Sequence, residues 1–205
     1  MSAIRHALID ADGVVQDLPG GWVRALEPYL GTRAEEFLAE TVVAEQPCLV
    51  GQADFLAALS EQVDRWSLDV AAEELYRAVW HRIEVHTDTL GLLRQVRRQG
   101  IGVHLATTQE AGRAAVMRQL YDGEFDSAYI SCELGVAKPS GEFFRRILAD
   151  LGAAPDEVFF VDDTEANVVG ARSVGLRAMH WRHEDGLDRL VARAAELGLP
   201  VRLPG

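Results

Sequence analysis

The chain has 205 residues, of which 48% are hydrophobic and 25% are charged, and its formal net charge is −12. These values are typical of a globular protein with one domain, or one domain and a small insertion, and they exclude an extensively disordered chain. The acidic balance argues against a nucleic-acid partner, which requires a basic surface, and no apolar run reaches the ~20 residues of a membrane helix.

Five short apolar segments alternate with helical patterns along the chain, which predicts strands separated by helices. The predicted strands are residues 6–9, 101–106, 127–130, 158–161 and 176–180. Their apolar character is typical of strands that are buried on both faces of a sheet.

The segments between these strands carry apolar residues at helical spacing. Leu92, Leu93 and Val96 form one such stripe, which Gly100 is expected to end, and Thr164 is predicted to cap the helix after the fourth strand. Strands and helices in alternation predict an α/β fold, in which helices cover both faces of a parallel sheet.

One long segment breaks this alternation, since residues 21–85 show only helical patterns. The first and second predicted strands are therefore much further apart than in an ordinary β–α–β connection. We predict an all-helical cap at residues 19–85, inserted into a core of residues 1–18 and 86–205. Trp22 lies near the start of the cap, where it either packs or lines a pocket beneath it.

Polar side chains follow four of the predicted strands, at the points where ligands bind in parallel α/β sheets. They comprise carboxylates, hydroxyls and one ammonium group, which we expect to converge on one edge of the sheet. In chain order they are Asp10 and Asp12, then Thr107, Thr108 and the amide Gln109, then Lys138, and finally Asp162 and Asp163.

This set of groups fits the chemistry of a phosphate ester. Mg²⁺ prefers hard oxygen ligands, which Asp10, Asp162 and Asp163 can supply. Once a metal ion and Lys138 neutralise the phosphoryl group, Asp10 can attack it as a nucleophile and form an aspartyl-phosphate. Asp12 is expected to give a proton to the leaving group and then to take one from water.

The transferred phosphoryl group also needs hydrogen-bond donors. We expect Thr107 and the backbone amides near it to bind phosphoryl oxygens, and helix N-termini near Gln109 and Glu165 to add favourable dipoles. A threonine after a strand is more often a turn residue, so this prediction depends on the joint occurrence of polar groups at four strand ends.

The residues at these strand ends resemble the four motifs of the haloacid dehalogenase-like hydrolases. Asp10-Ala11-Asp12-Gly13-Val14 resembles the first motif, Thr107 the second and Lys138-Pro139 the third, and residues 161–167 resemble the fourth. The resemblance extends from about residue 8 to about residue 180. It implies a Rossmann-like core with a helical cap inserted after the first motif.

The resemblance also implies a role for each residue of the motifs. Asp10 would be the nucleophile and Asp12 the acid and base, while Lys138 and Thr107 would bind phosphate. The metal, Mg²⁺, would bind Asp10, the backbone carbonyl of Asp12, and Asp163.

Three residues refine this expectation. Asp162 would lie close to the metal. Asp12 is absent from the dehalogenases of this family, because a halide leaves without a proton, so its presence favours a phosphate substrate. Thr108 stands where many phosphatase relatives have asparagine, and we expect it to alter the phosphate contacts without abolishing activity.

We therefore expect a Mg²⁺-dependent phosphatase that acts on a small phosphorylated metabolite, such as a sugar phosphate or a nucleotide. The alternatives are a phosphotransferase or phosphomutase of the same family and a non-catalytic binding protein on the same fold, with dehalogenation more distant. Two cysteines without metal-site spacing and an N-terminus that soon turns acidic predict a cytoplasmic protein. The sequence leaves the substrate and the oligomeric state open.

Overall fold

A computed structural model of the protein describes residues 2–201. Its strands are β1 (His6–Ile9), β2 (Gln16–Asp17), β3 (Glu84–Val85), β4 (Gly102–Thr107), β5 (Ser127–Ile130), β6 (Val158–Asp162) and β7 (Arg177–His180). Five of them form a parallel sheet in the order β5-β4-β1-β6-β7, and β2 and β3 form an antiparallel pair.

Helices connect the strands and account for most of the remaining chain. They are α1 (Gly21–Leu30), α2 (Ala34–Glu45), α3 (Phe55–Arg65), α4 (Ala72–Val79), α5 (Thr87–Arg98), α6 (Ala111–Leu120), α7 (Ser131–Leu134), α8 (Gly141–Leu151), α9 (Glu165–Ser173) and α10 (Leu187–Glu196). No helix within residues 2–201 has the length and apolar character needed to cross a membrane.

The predicted α/β fold with a parallel sheet is confirmed. β1 lies between β4 and β6, with Ile9 opposite both Leu105 and Val161. The strands are apolar because both faces of the sheet are covered: α5 and α10 pack on one face, and α8 and α9 on the other. Each predicted strand agrees with an observed one to within one residue at either end.

Helices α1 to α4, which we call the cap helices, pack around an apolar core of their own. This core is separate from the two that cover the sheet, because the cap helices bury their apolar faces mainly against one another. Its most deeply buried members include Leu26, Phe37, Leu59 and Leu75.

A short two-stranded ribbon lies between the cap helices and the parallel sheet along the chain. The prediction of helical patterns alone over residues 21–85 was wrong at Glu84–Val85, which forms β3 opposite Gln16–Asp17. Such a strand depends on a partner remote in sequence, so local spacing does not reveal it. The division into a cap at 19–85 and a core at 1–18 and 86–205 stays a prediction, and residues 1 and 202–205 lie outside the described residues.

Of the two helix ends predicted from sequence, the one at Gly100 is as expected and the one at Thr164 is not. α5 ends at Arg98, shortly before Gly100, whose φ of 82° is in the left-handed region as expected for a glycine that ends a helix. Thr164 precedes α9, but its hydroxyl donates to Asp163 Oδ1 at 3.1 Å and makes no capping bond to the helix.

Candidate active site

The carboxyl ends of three neighbouring strands place polar side chains at one edge of the sheet. Thr107 is the last residue of β4, Asp10 directly follows β1, and Asp162 is the last residue of β6. Because β4, β1 and β6 are adjacent and parallel, these residues lie side by side. This arrangement is where ligands bind in sheets of this type.

Lys138 reaches this edge from the loop between α7 and α8. Its Nζ donates to Asp10 Oδ1 at 2.7 Å and to Asp162 Oδ2 at 2.6 Å, and all three side chains are buried. Burial disfavours the ammonium, but the charges of Asp10 and Asp162 outweigh it and raise the pKa of Lys138 above its usual value. Lys138 therefore stays charged and offsets part of the negative charge of the two carboxylates.

Asp10 depends on this positive charge. Burial raises the pKa of Asp10, and the Lys138 ammonium opposes that rise. A buried carboxyl group ionises when cations and hydrogen-bond donors stabilise its charge. Asp10 is thus a nucleophile candidate whose ionised form needs the cations of its own site.

Asp162 is fully buried and is surrounded by hydrogen-bond donors. Asn167 Nδ2 lies 3.0 and 3.1 Å from its two oxygens, and the Thr164 amide donates to Oδ1 at 2.8 Å. These contacts orient Asp162 towards Lys138. Asn167 was not among the predicted site residues, although its place in the first turn of the helix after β6 would have been a signal.

Asp163 completes a group of three carboxylates. One oxygen from each of Asp10, Asp162 and Asp163 lies within 4.8 Å of the other two. Burial, and next the charge of Asp162, raise the pKa of Asp163. Within residues 2–201, Lys138 is the one cationic side chain that forms an ion pair with any of the three. Hard oxygen donors with excess negative charge fit Mg²⁺, so the residues present suit this ion.

Gly13 allows the loop after β1 to lie directly against Asp163. Its φ is 75°, and a Cβ atom at this position would lie 2.7 Å from Asp163 Oδ2. A larger residue would strain the backbone and displace the Asp163 carboxylate. Gly13 therefore permits the close approach of the segments that follow β1 and β6.

Asp12 lies on the same loop but has a different environment from Asp10. Gln16 Nε2 donates to its Oδ1 at 2.8 Å, and Gln109 Nε2 donates to its Oδ2 at 2.6 Å. Arg113 Nη2 also donates to Oδ1, at 2.7 Å. Both oxygens of Asp12 are thus oriented by donors, while its side chain stays 39% exposed and open to a ligand.

Gln16 and Arg113 were not predicted as site residues, and Gln109 was expected at this edge of the sheet without an assigned role. Arg113 is almost fully buried, and its Nη1 also donates to the backbone carbonyl of Trp80. A buried arginine is rare without a carboxylate partner, but its sequence context in α6 is that of an ordinary surface helix. Only the folded arrangement shows that it points to Asp12.

The two threonines after β4 occupy different positions. Thr107 is buried at the sheet edge, whereas Thr108 lines a cavity and its buried Oγ1 has no hydrogen-bond partner within residues 2–201. The expected helix N-terminus near Gln109 begins two residues later, at Ala111. Its first amides are less available to phosphate than expected, because the Glu110 carboxylate already accepts from Gly112 and Arg113 at 2.7 Å each.

A cavity of about 220 Å³ lies between Asp12 and the cap helices. Trp22 lines it, and the Trp22 ring also packs against Trp80 with centroids 5.8 Å apart, so both roles considered for Trp22 apply. The cap helices are in contact with the core around this cavity, since the Tyr76 hydroxyl donates to Glu110 Oε1 at 2.5 Å.

The chain matches a family model and resembles several known proteins. The family model described as haloacid dehalogenase-like hydrolase matches residues 4–175. A sesquiterpene phosphatase of Aspergillus oryzae is 33% identical over 91 residues, which are 43% of this chain and 46% of that protein. The chain thus spans less than half the length of this relative.

Two further proteins resemble the chain over most of its length. An enolase-phosphatase of Gluconacetobacter diazotrophicus is 26% identical over 208 aligned positions, covering 90% of this chain and 86% of that protein. A crystal structure of a HAD family enzyme from Bacteroides thetaiotaomicron, in complex with magnesium and inorganic phosphate, superposes with a TM-score of 0.79. It shares 21% sequence identity and covers 92% of this chain and 99% of that one, which shows a common fold.

Proposed function

The chain belongs to the haloacid dehalogenase-like hydrolases, and from this premise we propose that it is a Mg²⁺-dependent phosphatase of small phosphorylated metabolites. The observation that carries the proposal is the juxtaposition of Asp10, Asp162 and Asp163 around one space, with Lys138 bridging two of them. The phosphatase names of two relatives support the same reaction class.

In the first step, an oxygen of Asp10 attacks phosphorus and the bond from phosphorus to the leaving oxygen breaks. The product is an aspartyl-phosphate on Asp10. Lys138, which already contacts Asp10, offsets negative charge on the phosphoryl oxygens. Thr107 and Thr108 are proposed to bind phosphoryl oxygens, and the Thr108 hydroxyl has no other hydrogen-bond partner within residues 2–201.

Asp12 is proposed to act as the general acid in the first step and as the general base in the second. In its protonated form it gives a proton to the leaving alkoxide, and as a carboxylate it then takes a proton from the water that attacks the aspartyl-phosphate. The second step releases inorganic phosphate and restores Asp10. Gln109 and Arg113 orient Asp12 for both transfers, because each donates to one of its oxygens.

Asp10, the backbone carbonyl of Asp12, and Asp163 would bind the Mg²⁺ ion, with Asp162 close by. When bound, the ion supplies positive charge that neutralises the phosphoryl oxygens and the carboxylates. The other roles are carried out by residues of the chain. Lys138 neutralises and positions the phosphoryl group, and Asp12 transfers protons. Residues 19–85 act as a cap that excludes water from the nucleophile.

Two alternatives from the sequence remain as outcomes of the test. A phosphomutase would pass the phosphoryl group from Asp10 to a second hydroxyl, and a binding protein would not turn over at all. Purified protein is incubated with Mg²⁺ and a panel of phosphate monoesters, including sugar phosphates and nucleotides, and phosphate release is measured. Release without an added acceptor supports the phosphatase, acceptor-dependent transfer supports the mutase, and no reaction with any ester refutes both.

A further inference from the structure

The cavity beside Asp12 lies on the leaving-group side of the proposed reaction. A general acid must contact the oxygen that leaves, so the rest of the leaving group extends from Asp12. The cavity is bounded by Asp12 and Gln109 on the core side and by α1 and α2 on the cap side. Its walls therefore face the part of the substrate that distinguishes one phosphate ester from another.

The walls of this cavity are mostly apolar. Trp22, Leu38 and Val42 contribute from the cap helices, and Trp80 and Leu49 from the segments that follow α4 and α2. An apolar wall makes no hydrogen bonds, so each sugar hydroxyl placed against it would lose its bonds to water without replacement. The cavity therefore disfavours a leaving group with several hydroxyls and favours a hydrocarbon frame.

The polar groups of the cavity are few, and most already have partners. Gln109 donates to Asp12, and the Thr41 hydroxyl donates to the carbonyl of Phe37 at 2.8 Å. Two side chains that line the cavity have no hydrogen-bond partner within residues 2–201: the buried Thr108 hydroxyl, which is proposed to bind phosphate, and the partly buried Glu45 carboxyl group. Burial, and next the charge of Glu110, raise the pKa of Glu45 to about 7. The Glu45 carboxyl group is thus a hydrogen-bond acceptor to which no protein group donates within residues 2–201.

A neutral donor suits this cavity better than a cationic one. Charges of both signs act on Glu45, since, beyond the effect of burial, Glu110 and Asp12 raise its pKa and Arg113 lowers it. An ammonium group has three N–H donors to satisfy, and the apolar walls accept none of them. A hydroxyl group has one donor and pairs with Glu45 whether the carboxyl group is ionised or protonated.

The volume limits the size of the leaving group. The 220 Å³ of the cavity is below the roughly 300–1,000 Å³ of pockets for larger ligands. The cap helices contact the core through Tyr76 and Glu110, and Ser131 Oγ donates to the Leu49 carbonyl at 2.5 Å, so hydrogen bonds join the two sides of the cavity at this volume. The cavity therefore suits a compact leaving group.

We propose that the substrate is the phosphate monoester of a compact, mainly apolar alcohol whose far end carries one hydroxyl group, and that Glu45 recognises this hydroxyl. The inference rests on the proposed phosphatase function, and it narrows the expected sugar phosphate or nucleotide to a less polar class. Glu45 is then a specificity-determining residue of the cap, at the last position of α2.

The first test compares four leaving groups on the full-length enzyme with Mg²⁺. Pentyl phosphate, its ω-hydroxy analogue, its ω-amino analogue and glucose phosphate are assayed for kcat/KM. We expect the ω-hydroxy ester to exceed pentyl phosphate by about tenfold, through one hydrogen bond to Glu45, and to exceed glucose phosphate by more. A preference for glucose phosphate, or for the ω-amino ester, would overturn the assignment.

Variants assign the effect to Glu45. Glu45→Leu should abolish the preference for the ω-hydroxy ester over pentyl phosphate, mainly through KM, and Glu45→Gln should restore part of it because the amide still accepts a hydrogen bond. Glu36→Gln is the matched control, since Glu36 lies on the same helix and is largely exposed outside the cavity. An equal fall in activity on all four esters in Glu45→Leu would contradict the proposal.

A binding measurement separates this proposal from the proposed function. Pentane-1,5-diol is the alcohol that the ω-hydroxy ester would release, and its binding can be measured without turnover. Trp22 and Trp80 in the cavity wall report this binding through their fluorescence. We expect the diol to bind the wild type about tenfold more tightly than Glu45→Leu. Equal binding refutes the role of Glu45 even in an active phosphatase. Selective binding without any hydrolysis refutes the phosphatase and leaves the recognition by Glu45 intact.

Discussion

Arg113 Nη2 donates to Asp12 Oδ1 across 2.7 Å, and this bond joins a buried guanidinium to the proposed acid and base. The same guanidinium donates through Nη1 to the carbonyl of Trp80, directly after α4. Arg113 therefore contacts Asp12 and the cap side of the molecule at once. We interpret it as a positioning residue, because it orients Asp12 and lies outside the group of carboxylates.

Replacing Arg113 tests this role. Arg113→Met removes both donors and should lower kcat about a hundredfold with a smaller change in KM, because Asp12 loses its orientation. Arg113→Lys should recover only part of the loss, since one ammonium cannot reproduce the planar fork that reaches both partners. Steady-state kinetics on the best substrate measure both values, and urea unfolding shows whether the variants remain folded.

Arg118→Met is the matched control for Arg113→Met. Arg118 lies on the same helix, α6, but is partly exposed and pairs with Glu133 at 2.5 Å. Its replacement should change kcat by less than about twofold, since such surface pairs contribute little. Equal losses in the two methionine variants would show that the effect is on α6 as a whole and not on Asp12.

Asp10→Asn tests the nucleophile. The amide cannot form an aspartyl-phosphate, so turnover should fall by at least about ten-thousandfold, as is typical when a covalent nucleophile is removed. Acid quenching of the wild type during turnover of a labelled ester should trap label on the protein, and Asp10→Asn should trap none. Asp188→Asn, on the exposed face of α10, provides the control for an aspartate without a role. Label that persists in Asp10→Asn would place the nucleophile elsewhere.

Asp163→Asn should change stability in opposite directions with and without metal. Without Mg²⁺, loss of one carboxylate removes the cost of burying its charge and the repulsion from Asp162, and should raise the free energy of unfolding by roughly 1 kcal/mol. With Mg²⁺, the wild type should gain stability through binding, and the variant should gain much less. Thermal unfolding with a chelator and with added Mg²⁺ measures both effects. A variant with an undiminished response to Mg²⁺ would exclude Asp163 as a ligand.

Glu45 should make stability depend on pH. Its pKa is raised from 4.5 to about 7 in the folded protein, so between these values the folded state binds a proton that the unfolded state has released. The wild type should therefore lose stability relative to Glu45→Gln as the pH rises from about 4.5 to about 7, with a slope of at most about 1.4 kcal/mol per pH unit. The difference should be constant above that range.

Urea unfolding of both proteins across this pH range measures the effect. Because the comparison is made between two proteins, the other titrating groups cancel to first order. Parallel stability curves would show that the Glu45 carboxyl group is solvated like an exposed one. Glu45 would then not be a desolvated acceptor in the wall of the cavity.

Local sequence was sufficient to predict the strands and many of the polar residues at the edge of the sheet. His6–Ile9 and Val158–Asp162 are largely apolar segments that end abruptly in aspartates, and β4 between Gly102 and Thr107 ends in a threonine. Parallel strands place their carboxyl ends together, so Asp10 and Asp162 had to meet once the α/β alternation was recognised. The group of three carboxylates with Lys138 follows from that topology.

Local sequence patterns did not predict contacts between segments that are distant in sequence. β3 exists because Glu84–Val85 pairs with Gln16–Asp17, and neither segment has a strand pattern of its own. The donors to Asp12 come from Gln16, Gln109 and Arg113. Gln109 follows a predicted strand, but Arg113 has the sequence context of a helix surface, and nothing in its spacing distinguishes it from a solvated side chain.

The sequence by itself determined the alternation of strands and helices and the chemical groups at the strand ends, because periodicity and residue type are local properties. Tertiary structure alone decided which donors orient Asp12, and that Glu45 lies in an apolar cavity without a partner. Burial and orientation depend on how the cap helices pack against the sheet edge. That packing is a sum of many weak contacts between remote segments, which no short stretch of sequence encodes.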